Sequence, residues 1–231
     1  MTLRVLENTP IRFVREDILK IRGMARFSKM GSLDELIEQS RKLVEPRAVY
    51  TFIDIEELKE DGVLLRNGEF LQSPLLSSKI TCASEVAPYI VTIGARLEAE
   101  VTSLARNRIL ESFILDKLGT YALIEFGDRL RRTVEQERKY NASSFSPGDT
   151  PSWNVEELRT LFKILSPQKV KEEIGVELKE SGMMFPKKSG AGVTAATLED
   201  YWNCQVCTDQ RCEHRECKEA IRTRKKPQDS H

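Results

Sequence analysis

The stretch ILDKLGTYALIEFGDRLRRTV, residues 114 to 134, has an apolar residue at every third or fourth position and predicts a long amphipathic helix. The apolar positions that share one helical face are Ile114, Leu118, Tyr121, Ala122, Phe126, Leu130 and Val134. A shorter helix precedes it, because Leu97, Val101 and Leu104 repeat at the same spacing after Gly94. The region from about residue 96 to residue 140 is therefore predicted to form two helices.

Strands are predicted on both sides of this helical region. The segment Ala48–Ile55 alternates and is rich in β-branched residues, and Tyr89–Ile93 is a second apolar run. Asn67-Gly68 is a typical two-residue turn and predicts a hairpin over Val63–Leu71. A further β-like region covers Gly175–Thr197. Because strands and long helices are segregated along the chain, the pattern indicates an α+β fold with an antiparallel sheet.

Shorter elements complete this outline. Helices are predicted at Leu33–Val44, with Ser32 as the N-cap, and at Val155–Leu165. The sequence NASSFSPGDTPS, residues 141 to 152, has no hydrophobic period and predicts a loop. Cys82 is isolated from the other cysteines and is predicted to be a small buried residue.

The other four of the five cysteines lie close together near the C-terminus in the order C-x2-C-x4-C-x4-C: Cys204, Cys207, Cys212 and Cys217. Four thiolates on a short segment predict either a tetrahedral zinc site or an iron–sulfur cluster of the 4Fe-4S type. Two disulfides are a less suitable interpretation, because disulfide frameworks belong to small secreted domains and the N-terminus has no signal peptide. His214 lies inside the cluster and is expected to be a surface group or to support the ligands.

Composition excludes several classes of protein. The chain is 40% hydrophobic and 31% charged, which is typical of a globular domain, and its 36 basic and 36 acidic residues balance. The chain as a whole therefore has no charge bias toward nucleic acid or membranes. No apolar run approaches the roughly 20 residues of a transmembrane helix. We expect a cytoplasmic protein without a membrane partner.

Several segments together resemble one family. They are VTIGARLE (Val91–Glu98), LDKLGTYALIEFGD (Leu115–Asp128), FSPGDTPSWNVEELRTLFKIL (Phe145–Leu165), IGVELKESGMMFPKKSGAGV (Ile174–Val193) and the terminal cysteines. In this order the chain resembles stand-alone relatives of the cobalamin-dependent methionine synthase activation domain. The resemblance runs from about Tyr89 to Cys217, and residues 1–88 contribute little to it. It divides the chain into an activation-domain-like unit, residues 1–200, and a four-cysteine module with a basic tail, residues 201–231.

The resemblance implies both a fold and a function. The fold would be a twisted antiparallel sheet with flanking helices. The function would be to bind S-adenosylmethionine and to cap the corrinoid of a partner, so that inactive Co(II) is reduced and remethylated. The implied partner is a corrinoid protein or cobalamin-dependent methyltransferase, with a separate protein as electron donor. No acid–base pair is expected, because methyl transfer from a sulfonium to Co(I) needs positioning and exclusion of water.

The resemblance also implies a ligand-binding loop at Ser144, Ser146, Gly148 and Asp149. The family's Arg-x-x-x-Gly-Tyr signature falls on residues 144 to 149, where Gly148 is retained but serine replaces the arginine and aspartate replaces the tyrosine. Serine cannot clamp a carboxylate as arginine does, and aspartate offers no ring for stacking. We therefore expect weakened affinity for S-adenosylmethionine. Lys187 and Lys188, in the later segment Met183–Gly190, are candidates for contact with acidic groups of the corrinoid or its carrier, although exposed lysines are usually only solvated.

Function bears on the choice of metal, because a cluster could relay the electron that Co(II) needs, whereas zinc has no redox chemistry. The alternative function is a non-enzymatic, zinc-containing module that binds a protein or nucleic acid. The cysteine spacing equals that of a nucleic-acid-binding zinc knuckle with Cys212 in place of histidine. However, the segments between the cysteines lack the glycine and aromatic residues that such knuckles use to stack bases.

Overall fold

The computed structural model describes residues 2–7, 9–148, 152–207, 209 and 211–223. The strands of the described chain are β1 (Arg4–Leu6), β2 (Arg47–Tyr50), β3 (Ile53–Lys59), β4 (Gly62–Leu65), β5 (Phe70–Leu71), β6 (Glu85–Thr92), β7 (Ala142–Phe145), β8 (Glu177–Leu178), β9 (Met184–Phe185) and β10 (Ser189–Ala196). The helices are α1 (Arg15–Ile18), α2 (Leu33–Leu43), α3 (Pro74–Lys79), α4 (Arg96–Leu104), α5 (Ile109–Arg138), α6 (Leu158–Leu165), α7 (Pro167–Ile174) and α8 (Arg215–Thr223). Short 3₁₀ turns lie at Ala25–Phe27, Val155–Glu157 and Asn203–Gln205.

Strand β6 is the centre of an eight-stranded antiparallel sheet. Both β2 and β3 pair with β6, and they continue outward to β1 and to β4–β5 respectively. On its other side β6 pairs with β10, and β10 pairs with β7, which has no further partner strand in the described chain. Strands β8 and β9 form a separate two-stranded ribbon. The strand β7 is therefore an edge at which other parts of the chain can attach.

Helices cover both faces of the sheet. Because successive side chains of a strand point to opposite faces, Tyr89 and Val91 of β6 join one core and Ile90 joins the other. The first core contains α2, α4 and α5, and the second contains α3, α6 and α7. The C-terminal helix α8 packs against α5 and α1 at the margin of the first core. No helix in the described part of the chain is both long enough and apolar enough to cross a membrane.

Gly192 explains how β7 approaches β10 so closely. A Cβ atom at this position would lie 2.2 Å from the backbone oxygen of Phe145 and 2.7 Å from the hydroxyl of Tyr89. Glycine is therefore required because a side chain has no room, and the lack of a Cβ lets the edge strand pair in register. This close approach fixes the position of Ser144, the residue opposite Thr194 of β10.

The α+β class, the antiparallel sheet and the flanking helices predicted from the sequence are confirmed. The predicted helix at Leu33–Val44 corresponds to α2, and the region from residue 96 to residue 140 corresponds to α4 and α5. The hairpin around Asn67-Gly68 is present, and Gly68 has a φ of +84°. Helix α6 lies within the range predicted for it, after a 3₁₀ turn.

Several local predictions are wrong. Ser32 does occupy the N-cap position of α2, but its side chain makes no capping hydrogen bond. The strand predicted at Ala48–Ile55 is interrupted between β2 and β3. Residues 142 to 145, which were predicted to be loop, form the strand β7. The hydroxyl of Ser144 bonds that of Thr194 on β10, and the hydroxyl of Ser143 bonds that of Thr197, so both serines of the strand have hydrogen-bond partners. Helix α7 was not predicted. Cys82 is exposed rather than buried.

Candidate functional site

The Ser144–Gly148 loop begins on the edge strand β7. Ser144 points toward the α5 side of the sheet, and its Oγ lies 2.9 Å from Oγ1 of Thr194. Phe145 points the other way into the core beneath α6. Farther along, the Oγ of Ser146 lies 3.5 Å from the hydroxyl of Tyr89, at the limit of a hydrogen bond. The strand therefore presents Ser144 to a different compartment from its neighbours.

Gly148 closes the loop. It has a φ of +83°, and its N–H donates to the backbone oxygen of Trp153 at 2.8 Å. A Cβ here would lie 3.3 Å from Cγ2 of Val155, so both conformation and space favour glycine. The Trp153 side chain is buried, and its Nε1 has no hydrogen-bond partner among the residues that the structure describes. Asp149, the last of the predicted loop residues, lies outside the described residues.

The segment that leads to the cysteines crosses the edge of the sheet at this strand. The N–H of Tyr201 donates to Oγ of Ser143 at 3.0 Å, and the Tyr201 ring stacks on Phe145 at 4.8 Å between centroids. Ser143 in turn bonds Thr197 through their hydroxyls at 2.8 Å. The predicted binding loop and the predicted cysteine module are therefore neighbours in the fold.

Between them lies a small cavity of about 130 Å³, which we call the Ser144 cleft. Ser144 forms part of its sheet side, Asp128 and Arg131 belong to α5, and Trp202 and Lys218 come from the C-terminal segment. The cleft thus combines an hydroxyl, an indole and charged groups from three parts of the chain. None of the C-terminal members was predicted from the sequence as a site residue.

A network of ion pairs joins α5 to α8 along one side of the cleft. Asp128 is within 2.9 Å of Arg131 and 2.8 Å of Arg132, and Arg222 of α8 approaches it at 3.8 Å. Arg222 also pairs with Asp200. Each of these side chains, Asp200 excepted, is largely buried. Partly buried, mutually paired charges of this kind hold two helices in a defined relative position.

The four cysteines do not assemble a metal site in the described residues. Cys217 is fully buried and, with Ile221 four residues later, forms the apolar face of α8 that packs in the α5 core. Cys204 is buried, whereas Cys207 and Cys212 are partly exposed. Among the described residues, no three His, Cys, Asp or Glu side chains are grouped so that they could hold a metal ion. The predicted zinc or iron–sulfur site is therefore not confirmed, and no electron transfer is assigned to it.

Arg215 organises the cysteine segment instead. Its guanidinium donates to the backbone oxygens of Cys204 at 3.0 Å, Cys207 at 2.9 Å and Asp209 at 3.0 Å. Burial raises the pKa of the Cys204 thiol, although the Lys218 ammonium acts in the opposite direction. The thiol form is therefore favoured at neutral pH. His214 is half-buried, and burial is the main cause that lowers its pKa.

The cysteine segment is also attached to the rest of the chain. The N–H of Arg22 donates to the backbone oxygen of Glu213 at 2.9 Å, and the Glu213 carboxylate pairs with Lys117 of α5. The predicted division of the chain at residue 200 stays a prediction. The basic tail lies mostly at residues 224–231, which are outside the described residues.

The lysines proposed as contacts for a corrinoid have partners within the chain. Lys187 pairs with Glu98 at 3.2 Å, and Lys188 pairs with Asp116 at 2.8 Å and bonds Thr120 at 2.7 Å. Their charges are therefore compensated in the described structure. Lys218 differs, because no carboxylate of the described residues lies within ion-pair distance of its ammonium. The sequence offers one indirect signal for this residue, which is its position on an amphipathic helix.

Comparison with known proteins supports the fold. No family model matches the chain, and no curated protein does. Among solved structures, the chain is similar to the MetH reactivation domain bound to AdoHcy, with a TM-score of 0.64 and 15% sequence identity. The match covers 87% of this chain and 81% of that chain. The matched 87% of this chain is more than residues 89–231 contain, so part of residues 1–88 also belongs to the common fold.

Proposed function

We propose that the protein promotes the reductive reactivation of a corrinoid-dependent methyltransferase and that it uses S-adenosylmethionine as methyl donor. The observation that carries this proposal is the shared fold with a reactivation domain whose structure contains AdoHcy, the demethylated form of that donor. In addition, the loop to which the resemblance assigns ligand binding borders the Ser144 cleft. Fold and cleft together favour a protein that binds this ligand near a partner's corrinoid.

The reaction requires one electron and one methyl group. A separate low-potential electron donor reduces the partner's Co(II) to Co(I). The Co(I) electron pair then attacks the methyl carbon of the sulfonium, so that a Co–C bond forms, the C–S bond breaks and the sulfur keeps the bonding pair. The products are a methylated corrinoid and S-adenosylhomocysteine. No proton is transferred, so the step requires no acid–base residue.

The chain's own contribution would be positional. The Ser144 cleft would hold one end of the donor, while the ion pairs of Asp128 with Arg131 and Arg222 keep α5 and α8 at a fixed distance. A rigid wall of this kind restricts the donor to orientations in which the methyl carbon faces the partner. The same surface, covered by the partner, would exclude water from the reacting atoms.

The test is an anaerobic mixture of the protein with a Co(II) corrinoid protein, a strong reductant and S-adenosylmethionine. We expect a complex in size-exclusion chromatography and a visible spectrum that changes to that of the methylated corrinoid faster than with reductant and donor alone. Lys169→Met is a suitable control, because Lys169 is exposed on α7, on the other face of the sheet. Absence of a complex together with an unchanged cobalt spectrum would contradict the proposal.

A further inference from the structure

Lys218 and Arg222 occupy one stripe of α8, four residues apart, and both line the Ser144 cleft. Their surroundings differ. Arg222 pairs with Asp200 and approaches Asp128, so its charge is compensated. In the described part of the chain, no carboxylate lies within 4.0 Å of the Lys218 ammonium, and the ammonium is near enough to Cys204 and His214 to affect their pKa values. Among the described residues that line the cleft, Lys218 is therefore the partly buried cation whose charge no carboxylate compensates.

The opposite walls of the cleft suit a small organic group. Trp202 supplies an aromatic surface, and Ser144 supplies an hydroxyl. The volume of about 130 Å³ is well below the roughly 300 Å³ at which whole-ligand pockets begin. Only one end of a larger ligand fits, and a single uncompensated ammonium matches a group with a single negative charge. A carboxylate on a short aliphatic chain has both properties.

We propose that the C-terminal segment completes the ligand site. Lys218 binds the carboxylate at the amino-acid end of S-adenosylmethionine, with Trp202 as the adjacent apolar wall. This inference rests on the proposed function. It assigns a residue of α8 to the carboxylate of the ligand's zwitterionic amino-acid end, where the β7 strand itself offers only the hydroxyl of Ser144. The C-terminal helix α8 would then contribute directly to ligand binding.

The partners that Arg131 already has support this assignment. Although Arg131 also lines the cleft, its guanidinium is already engaged by Asp128 at 2.9 Å, Glu135 at 2.5 Å and the backbone oxygen of Ala142 at 3.3 Å. An incoming carboxylate would have to displace one of these partners. Lys218 requires no such exchange, because its charge is uncompensated among the described residues.

The experiment is a thermodynamic cycle between protein and ligand, measured by isothermal titration calorimetry. The probes are S-adenosylmethionine and its decarboxylated form, and the proteins are the wild type, Lys218→Met, Lys218→Arg and the surface control Lys169→Met. A charge-assisted hydrogen bond corresponds to about a tenfold to hundredfold change in affinity. We expect the wild type and Lys169→Met to prefer the carboxylated ligand by this factor, Lys218→Met to bind both ligands alike, and Lys218→Arg to recover much of the preference.

Each outcome decides a separate point. If Lys218→Met keeps the full preference for the carboxylated ligand, Lys218 does not bind the carboxylate and this inference is wrong, while the proposed function is unaffected. If the wild type binds neither ligand, the inference fails together with the methyl-donor part of the proposed function. If the wild type binds both ligands with equal affinity, the carboxylate is not recognised and the inference again fails alone. Circular dichroism of every variant identifies any loss of folding, and in that case Lys218→Arg decides the question.

Discussion

The Ser144–Gly148 loop and the Cys204–Cys217 segment were both predicted to be sites from short sequence motifs, and the fold treats them differently. The loop leaves an edge strand with Ser144 directed into a cleft and Gly148 in a conformation that favours glycine. The cysteine segment turns Cys217 into the core and secures its carbonyl oxygens with Arg215. The loop residues therefore stay a predicted ligand site, and the metal site predicted from the thiol spacing is not confirmed among the described residues, because α8 buries Cys217 in the α5 core.

The comparison also joins the two regions. Tyr201 binds β7 through its backbone, and Lys218 reaches the same cleft as Ser144. The residues on either side of the cysteines therefore pack against β7 and line the Ser144 cleft. The predictions below separate these contributions.

The largest effect is expected at the base of the loop. In Gly192→Ala the new Cβ would lie 2.2 Å from the Phe145 backbone oxygen, so β7 must move away from β10. Overpacking of this kind lowers the free energy of unfolding by about 3 kcal/mol. Gly190→Ala is the matched control, because its Cβ would make an ordinary 3.5 Å contact with Val91. Equal stability of the two variants in urea unfolding would show that β7 is not anchored as described.

Cys217 tests whether the cysteine segment depends on packing or on metal. Cys217→Ser places an hydroxyl in an apolar core and should lower the free energy of unfolding by about 2 kcal/mol. Cys207→Ser, at a partly exposed position, should change it by less than about 0.5 kcal/mol. The measurement is thermal unfolding with and without a chelator. A large loss in Cys207→Ser, or a large loss caused by the chelator, would indicate that a metal stabilises the segment.

Arg215→Met removes three hydrogen bonds to carbonyl oxygens and should lower the free energy of unfolding by about 1 kcal/mol. It should also expose Cys204, and thiol labelling with Ellman's reagent would then be faster than in the wild type. Arg211→Met is the control, because the Arg211 side chain has no ion pair among the described residues. Unchanged labelling of Cys204 in Arg215→Met would mean that the guanidinium does not organise the segment.

A smaller effect is expected from pH. Burial and the neighbouring Lys117, Lys218 and Lys188 lower the pKa of His214, and Glu213 acts in the opposite direction. The unfolded chain therefore binds a proton at a higher pH than the folded protein does, so stability is lost as the pH falls below the ordinary histidine value of about 6.5. Between about pH 7.5 and about pH 5.5, His214→Gln should lose less stability than the wild type. An identical pH profile for the two proteins would contradict the burial of His214.

These comparisons also define what the sequence could predict. The regular apolar spacing of α5 is visible over many turns, and the turn at Gly68 has a characteristic dipeptide, so helix and hairpin were predictable. Strand β7 was not, because only four residues form it and two of them are serines whose hydroxyls bond to the chain near residues 194 and 197. Lys218 could not be assigned either, because its proposed role depends on its having no carboxylate partner among the residues that the structure describes. The long-range contacts that place Gly192 and Cys217 leave no local signal.

The central claim is that the protein delivers a methyl group to a partner's corrinoid from a donor held at the Ser144 cleft. The most direct measurement is anaerobic transfer of label from S-adenosyl-[methyl-¹⁴C]methionine to a Co(II) corrinoid protein in the presence of a strong reductant. We predict labelled corrinoid that depends on this protein and on the reductant, with slower transfer by Lys218→Met when the donor is below saturation. Equal label in the corrinoid with and without the protein would contradict the account.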